Sequence, residues 1–434
     1  MNCNTQNAKI KSITEKTLIV GIDVGSETHY ARAFDWRNIE FSKKPFAFSN
    51  DEAGFTSFKA WLEDIKEKFG KTIVLPGMEP TGHYWFNLGA FLQDNGMKPV
   101  HVNPHHVHKS KELDDNNPSK NDCKDPKTIA ALVNEGRFNY PYIPTGVYAE
   151  IRSLYGLQVM TQEALIRVKN RIARWLSIYF PEYKDVYRSC DAISGVMVLK
   201  VCPLPADIVM LGADGVNKIW RDAKLRAAGM KRARTLVEAA KHSVGSTESP
   251  EAAKYEMELL LGDYDVYTKR LEKLTEKIEA KLEEIPYVDK LLEIKGVGKK
   301  IVSGLIAEIG DISRFDNPKQ VQKLAGYAIV ACSSGKHKGE SHISYRERKR
   351  LRYVLYEAAI SLIGQNAEFK EIHHYYLTRQ NNPLKKMESV IAVACKALRV
   401  FYAILTKGVS YDGKFMLECI RYPESQVLGN RIAA

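Results

Sequence analysis

The sequence predicts an α/β domain with a largely central sheet, followed by long helices and a mostly α C-terminal region. Three observations carry this. Short apolar runs alternate with helical stretches up to about residue 140; beyond Pro144 only helical periodicity remains; and a helix, Gly-Val-Gly turn, helix unit opens the last third. With 434 residues there is room for two or three domains, and the boundaries are expected at 1–148, 149–290 and 291–434.

In order, Leu18 to Val24 (LIVGIDV) reads as a buried strand and His29 to Phe34 as its hairpin partner. Glu52 to Phe69 is helical, Thr72 to Leu75 is a second buried strand, a helix follows Gly82, and Pro99 to Val102 is a short strand leading into a polar segment. Ligands of such a sheet gather at its strand ends. Ala149 to Phe180 has apolar residues at helical spacing with Arg167, Arg171 and Arg174 between them, a basic amphipathic helix. Ser249-Pro250-Glu251 starts another, with Ser as N-cap and Pro in the first turn. Within it, Tyr267, Leu271, Leu274, Ile278, Leu282 and Ile285 step by 4, 3, 4, 4 and 3, the spacing of a helix pair formed either within the domain or between two copies. In LLEIKGVGKKIVSGLIAEIG the glycines allow a helix-hairpin-helix, with Lys295, Lys299 and Lys300 beside it. A turn between two packed helices is an equal reading.

Sixty-four Lys and Arg against 52 Asp and Glu leave +12, which favours a polyanionic partner, nucleic acid first. Seven scattered cysteines without a CxxC pair fit reduced thiols of a cytosol and no zinc site. The N-terminus lacks an apolar signal core, and the apolar stretch Val390 to Leu405 is broken by Lys396 and Arg399, so neither export nor a membrane span is expected.

The chemistry is expected at carboxylates. Asp23 ends the first strand, Glu79 follows the second in GMEPTGHYW, and Asp122 and Asp125 in KNDCKDPK are three apart, one helix face if helical. Asp114 and Asp115 are read as loop residues. Acids drawn together repel unless cations neutralise them, so a divalent metal is implied, Mg²⁺ or Mn²⁺ for an all-oxygen set, as used at phosphodiesters. Positions 332–352 form a second feature: Ser333 and Ser334 precede a glycine, and Lys336, Lys338, Arg346, Arg348, Lys349 and Arg350 follow, a basic segment suited to phosphates. Serine there needs activation to attack phosphorus. His101, His105, His106 and His108 match no zinc spacing and read as a solvated segment facing nucleic acid.

Taken together, GIDVG, MEPTGHYW and NDCKD, with IKGVGKKIVSGLIAEIGDISRF and SSGKHKG far downstream, resemble the DEDD transposases of bacterial insertion sequences over roughly residues 17–140 and 290–410. The resemblance implies a RuvC-like (RNase H-like) N-terminal domain, a coiled-coil helical middle and a C-terminal transposase domain. It implies that Asp23, Glu79, Asp122 and Asp125 hold the metal, and that Ser334, with Ser333 as the alternative, links covalently to a DNA phosphate. It further implies a structured non-coding guide (bridge) RNA pairing with donor and target double-stranded DNA, and a dimer or tetramer whose working site draws acids and serine from different protomers. The setting would be the nucleoid of a bacterial cytoplasm. Cys123 and Pro126 depart from the family pattern, which often has a basic residue and alanine there. Two other readings stay open: a metal-dependent Holliday-junction-type nuclease using water, and a non-catalytic nucleic-acid-binding scaffold.

Overall fold

The computed structural model describes residues 3–41, 44–80, 82–114, 125–330, 333–334, 337–338, 342–345 and 347–421. The chain divides into two compact units, 1–143 and 144–434. The first is mixed α/β around one sheet and the second is mostly helical.

The first unit runs α1 (Cys3–Ser12), β1 (Thr17–Asp23), β2 (Thr28–Phe34), β3 (Phe46–Ser49), α2 (Glu52–Lys68), β4 (Ile73–Met78), α3 (Trp85–Asp94), β5 (Val100–Val102), α4 (Pro104–Asp114), α5 (Asp125–Asn134) and β6 (Phe138–Asn139). Its six strands lie in the order β3-β2-β1-β4-β5-β6. The expected hairpin is there, with β2 antiparallel to β1, while β4 and β5 run parallel to β1 as strands separated by crossover helices must. β1 is apolar on both faces because both faces are covered: Leu18, Val20 and Ile22 pack with Phe55, Phe58 and Leu62 of α2 and Leu88 of α3, and Ile19 packs with Ile129 and Val133 of α5. α2 is capped by Asp51, whose carboxylate accepts the Gly54 N–H at 2.7 Å, a bond that holds this acid below its ordinary range.

Two expectations are corrected here. The second buried strand does not stop at Leu75 but runs to Met78 through Pro76. β5 pairs only with Gly77 and Met78, so the N–H that proline lacks was not needed on that side. The segment after Val102 is the helix α4, which carries His105, His106 and His108 and ends at Asp114, so that acid is not a loop residue. The short strands β3 and β6 were not foreseen, being four and two residues long.

The second unit runs α6 (Gly146–Tyr179), α7 (Tyr183–Val186), α8 (Ile193–Leu199), α9 (Pro205–Asp222), α10 (Met230–Lys241), α11 (Pro250–Leu282), α12 (Val288–Leu292), α13 (Lys299–Ile309), α14 (Pro318–Leu324), β7 (Ile329–Val330), β8 (Ser333–Ser334), β9 (His337–Lys338), β10 (His342–Ile343), α15 (Lys349–Gln365), α16 (Ala367–Thr378), α17 (Lys386–Lys407) and α18 (Gly413–Arg421). α6 and α11 form an antiparallel pair. The Trp175 indole donates to the Ala253 carbonyl at 2.9 Å near one end, Gln158 to Thr275 at 2.9 Å further along, and Lys281 meets Glu150 at 3.1 Å at the other. One end of the pair belongs to a core with α7 to α10, built on Trp175, Trp220 and Phe180, and the other to a core with α12 to α17, built on Ile278, Leu282, Leu355 and Phe401. The 4-3 spacing of α11 therefore serves its own unit: Ile278, Leu282 and Ile285 are buried, while Tyr267, Leu271 and Leu274 are half-buried between the two cores. α11 begins at Pro250 as expected, but Ser249 has φ +50° and makes no capping hydrogen bond.

Among the described residues α17 alone is long and apolar enough to cross a membrane. Its Val393, Ala397, Leu398, Phe401 and Ile404 lie in the core with α15, so its apolarity is used in packing.

Candidate active site

Asp23 and Glu79 meet through strand register. Ile22 of β1 pairs with Met78 of β4, the last matched pair of the parallel ladder, so the two acids occupy the next position on adjacent strands, about 5 Å apart at the backbone. Both are half-buried at the carboxyl edge, where parallel sheets place their ligands.

Side chains alternate along a strand, so Gly21 and Asp23 share the α5 face of β1, as Leu75 and Gly77 do on β4. Gly21 and Gly77 are themselves partners in the ladder and leave a trough along which α5 lies. A Cβ on Gly21 would sit 1.8 Å from the Pro126 carbonyl oxygen and 2.8 Å from the Ala130 nitrogen. One on Gly77 would sit 2.4 Å from the Val133 side chain. The contact at Gly21 fixes the first turn of α5 against the strand that ends in Asp23, and the first residue of that helix is Asp125. Three of the four predicted acids thus come from three elements to one edge. Asp122 lies outside the described residues. Among those described, no group of three or more His, Cys, Asp or Glu side chains is arranged to hold a metal ion. The available donors are carboxylate oxygens, the chemistry that Mg²⁺ and Mn²⁺ prefer.

On the opposite face His101 of β5 stands in register with Met78, its ring edge-on to Trp85 at 4.3 Å. It is not part of a solvated segment, as the sequence suggested. Burial pushes its imidazole down to about 4, and burial also lowers His29, which lies against Phe48 at 5.1 Å, with Asn50 acting in the opposite sense. In the folded chain both rings favour the neutral form. The unfolded chain binds these protons near pH 6.5 and the folded chain does not, so stability is complete above about pH 6.5 and falls as the pH drops toward 4. By pH 4.5 the loss from His101 is about 2 kcal/mol after discounting for partial exposure. Urea unfolding at pH 7 and 4.5 measures it, and His101→Leu should flatten the difference.

The second feature lies in the second unit. β8 and β9 pair as a hairpin, with Ser333 opposite Lys338 and Ser334 opposite His337, and β7 pairs with β10 outside them. Ser334 is therefore the last ladder residue before a two-residue connection. Lys336 and Arg346 lie outside the described residues. Of the remaining cations, Lys349 and Arg350 at the start of α15 are exposed, as are Lys295 and Arg167, Arg171 and Arg174 of α6. Others already have partners: Lys299 with Glu279 at 2.6 Å, Lys300 with Glu357 at 3.0 Å, and Arg348 with Glu308 at 3.4 Å. The Gly-Val-Gly turn is packed, with Ser361 donating to the Gly296 carbonyl at 2.7 Å and Gly296 at φ +99°, while Gly298 leaves α13 without a side-chain cap. Both readings of that turn thus have a physical basis. The trough glycines were the signal missed in the sequence. Gly21 in GIDVG and Gly77 in GMEP each stand two residues before an acid.

Residues 20–181 match the model of the DEDD transposases, described as Transposase, and residues 288–376 match that of the Transposase IS116/IS110/IS902 family. Similar proteins include the insertion element IS116 uncharacterized 44.8 kDa protein of Streptomyces clavuligerus, 24% identical over 89% of this chain and 94% of the relative. The putative transposase y4rJ of Sinorhizobium fredii is 25% identical over 58% of this chain and 64% of its own. The pilin gene-inverting protein of Moraxella bovis is 29% identical over 28% of this chain and 38% of its own. The paired strand-end acids, the helix held against them and these matches agree: the chain belongs to the DEDD transposase family of insertion sequences, in the IS116/IS110/IS902 group.

Proposed function

We propose that this transposase is an RNA-guided recombinase that cuts and rejoins DNA strands through a carboxylate-held divalent metal and a serine nucleophile. The observation that carries the metal half is the register of Asp23 and Glu79 at the carboxyl edge of a RuvC-like sheet, with the Asp125 end of α5 held close by Gly21. Asp23, Glu79 and Asp125, joined by Asp122, would hold Mg²⁺ or Mn²⁺. When bound, such an ion offsets the charge that builds on a phosphodiester during displacement. The carboxylates keep their edge negative and oriented, and the half-burial of the strand ends limits water there.

For the serine half, Ser334 precedes a hairpin connection in a segment rich in Lys and Arg. Its Oγ forms a bond to phosphorus, the bridging bond to the deoxyribose oxygen breaks, and the hydroxyl proton ends on the departing oxygen by way of solvent. Attack by another strand's hydroxyl on the phosphoserine reverses these bonds and frees the serine. A structured RNA pairing with donor and target DNA would supply sequence choice, leaving the protein to hold backbone and shape. An oligomer is expected on the same resemblance.

The test is a substrate with a nick near the cut site, which prevents religation. The wild-type chain should yield a denaturant-stable protein–DNA adduct in Mg²⁺, and Ser334→Ala should yield none. Loss with Ser333→Ala instead moves the nucleophile by one residue. Cleavage with no adduct from any variant supports the water-using nuclease, and absence of cleavage supports the scaffold. Sequencing RNA that copurifies with the chain tests guidance.

A further inference from the structure

We infer that the corner between α9 and α10, remote in sequence from both matched segments' acids and serine, is a docking surface for the phosphate backbone of duplex DNA. Between 218 and 234 the chain has seven cations and a single acid, Asp222. Lys218, Arg221 and Lys224 come from the end of α9 and its exit, Arg226 from the connection, and Lys231, Arg232 and Arg234 from the start of α10. All seven are exposed.

Ion pairs distinguish them from four lysines of this helical lobe. Lys169 pairs with Asp191, Lys200 with Asp265 at 2.6 Å, Lys241 with Glu238 at 3.4 Å and Lys254 with Asp207 at 3.0 Å. None of the seven is in an ion pair among the described residues. Those four lysines are neutralised, whereas the corner is left as concentrated positive charge.

The fold also holds that charge where the backbone disfavours it. α10 has no acid in its first turn and no side-chain cap at Gly229, and Lys231 and Arg232 sit in that turn, at the positive end of the helix dipole. Cations placed against a dipole raise the energy of the unbound protein, and an anion relieves both charges at once. The corner is held in shape: Arg221 donates to the Ala228 carbonyl, and the Arg232 guanidinium lies 5.9 Å from the Tyr187 ring centre. Beside it runs a groove of about 560 Å³ between α7 and the start of α10, with Asp185 as its acid.

Duplex rather than single-stranded DNA follows from what the corner presents. Trp220, its tryptophan, is fully buried, so no indole is offered for bases to stack on. Fixed cations without a stacking platform read backbone and not sequence. This inference rests on the chain acting on DNA, and not on the identity of the metal ligands or the nucleophile.

The experiment measures binding of the full chain to a 30-bp duplex of mixed sequence at 50 to 300 mM salt. The triple variant Arg226→Gln, Lys231→Gln, Arg234→Gln should lower the log–log salt slope by about 2 to 3 and weaken binding roughly 100-fold at 0.1 M, equally for unrelated sequences. A control losing the same charge, Lys16→Gln, Lys59→Gln, Lys68→Gln, should change the slope by less than about 1. Arg226→Lys with Arg234→Lys should keep the wild-type slope. A triple variant that melts like wild type and keeps its slope, matches the control, or is impaired only on single strands overturns the inference. Wild-type chain that binds no duplex overturns it together with the reading of a DNA-acting enzyme, whereas an unchanged triple variant leaves that reading standing.

Discussion

Asp23→Asn should leave the fold and DNA affinity in place and lower strand cleavage about 10³-fold, a barrier rise of roughly 4 kcal/mol. Asn has the size of Asp and keeps an oxygen donor, so a packing defect is not introduced at the end of β1. What it removes is one unit of negative charge from an edge where Asp23 and Glu79 are neighbours in register. Two carboxylates on adjacent strands repel one another until a cation lies between them. The variant should therefore lose the rise in melting temperature that Mg²⁺ gives the wild type. Cleavage of a labelled duplex and melting curves with and without Mg²⁺ measure both effects. Cleavage within tenfold of wild type would remove Asp23 from the proposed metal site, whatever the melting curves show.

Gly21→Ala should be the most damaging single methyl in the first unit. The new Cβ meets the Pro126 carbonyl at 1.8 Å and the Ala130 nitrogen at 2.8 Å, both backbone atoms of α5, which no rotamer change can move aside. α5 must shift from the sheet, at a cost of about 2–4 kcal/mol. Because the helix begins at Asp125, the shift also draws that acid away from Asp23, and cleavage should fall more than tenfold at temperatures where the variant is still folded. Gly262 on α11 is the contrasting case: a Cβ there meets nothing within 4 Å, so Gly262→Ala should be neutral or stabilise by up to about 1 kcal/mol. Thermal melts of the two variants side by side separate loss of a close approach from a general intolerance of the chain to losing glycine.

Much of the first unit can be read from residue order because its signals are local. A run such as LIVGID has no polar face to show to water, so it must be a strand or helix covered on both sides, and its length and β-branched residues choose the strand. Acids at the ends of two such runs then meet whenever the strands are adjacent and parallel. From sequence, β4 reads as ending at Leu75, just before Pro76, a residue that in general interrupts a ladder. Only the shortness of β5 shows that Pro76 breaks nothing. His101 looked like one of four solvated histidines, and its burial against Trp85 depends on which strand packs under which helix.

In the second unit, periodicity showed the helix α6, which begins at Gly146 and not at Ala149, and Pro250 marked the start of α11. That α11 pairs with α6 of its own chain did not follow from them, because a 3-4 apolar spacing states that a helix needs a partner without naming it. Likewise Lys299 and Lys300 were chosen for their charge, and Glu279 and Glu357, far from them in sequence, are what occupy them.

What could be read from residue order was the class of the longer elements, the strand-end acids, the excess of cations and the family, all of which depend on neighbours along the chain. Tertiary structure alone decided which cations are neutralised, which histidines are neutral, and why Gly21 and Gly77 must lack side chains. Those depend on what lies across a few ångströms of space between segments that the chain order separates, and short-range spacing carries no record of it.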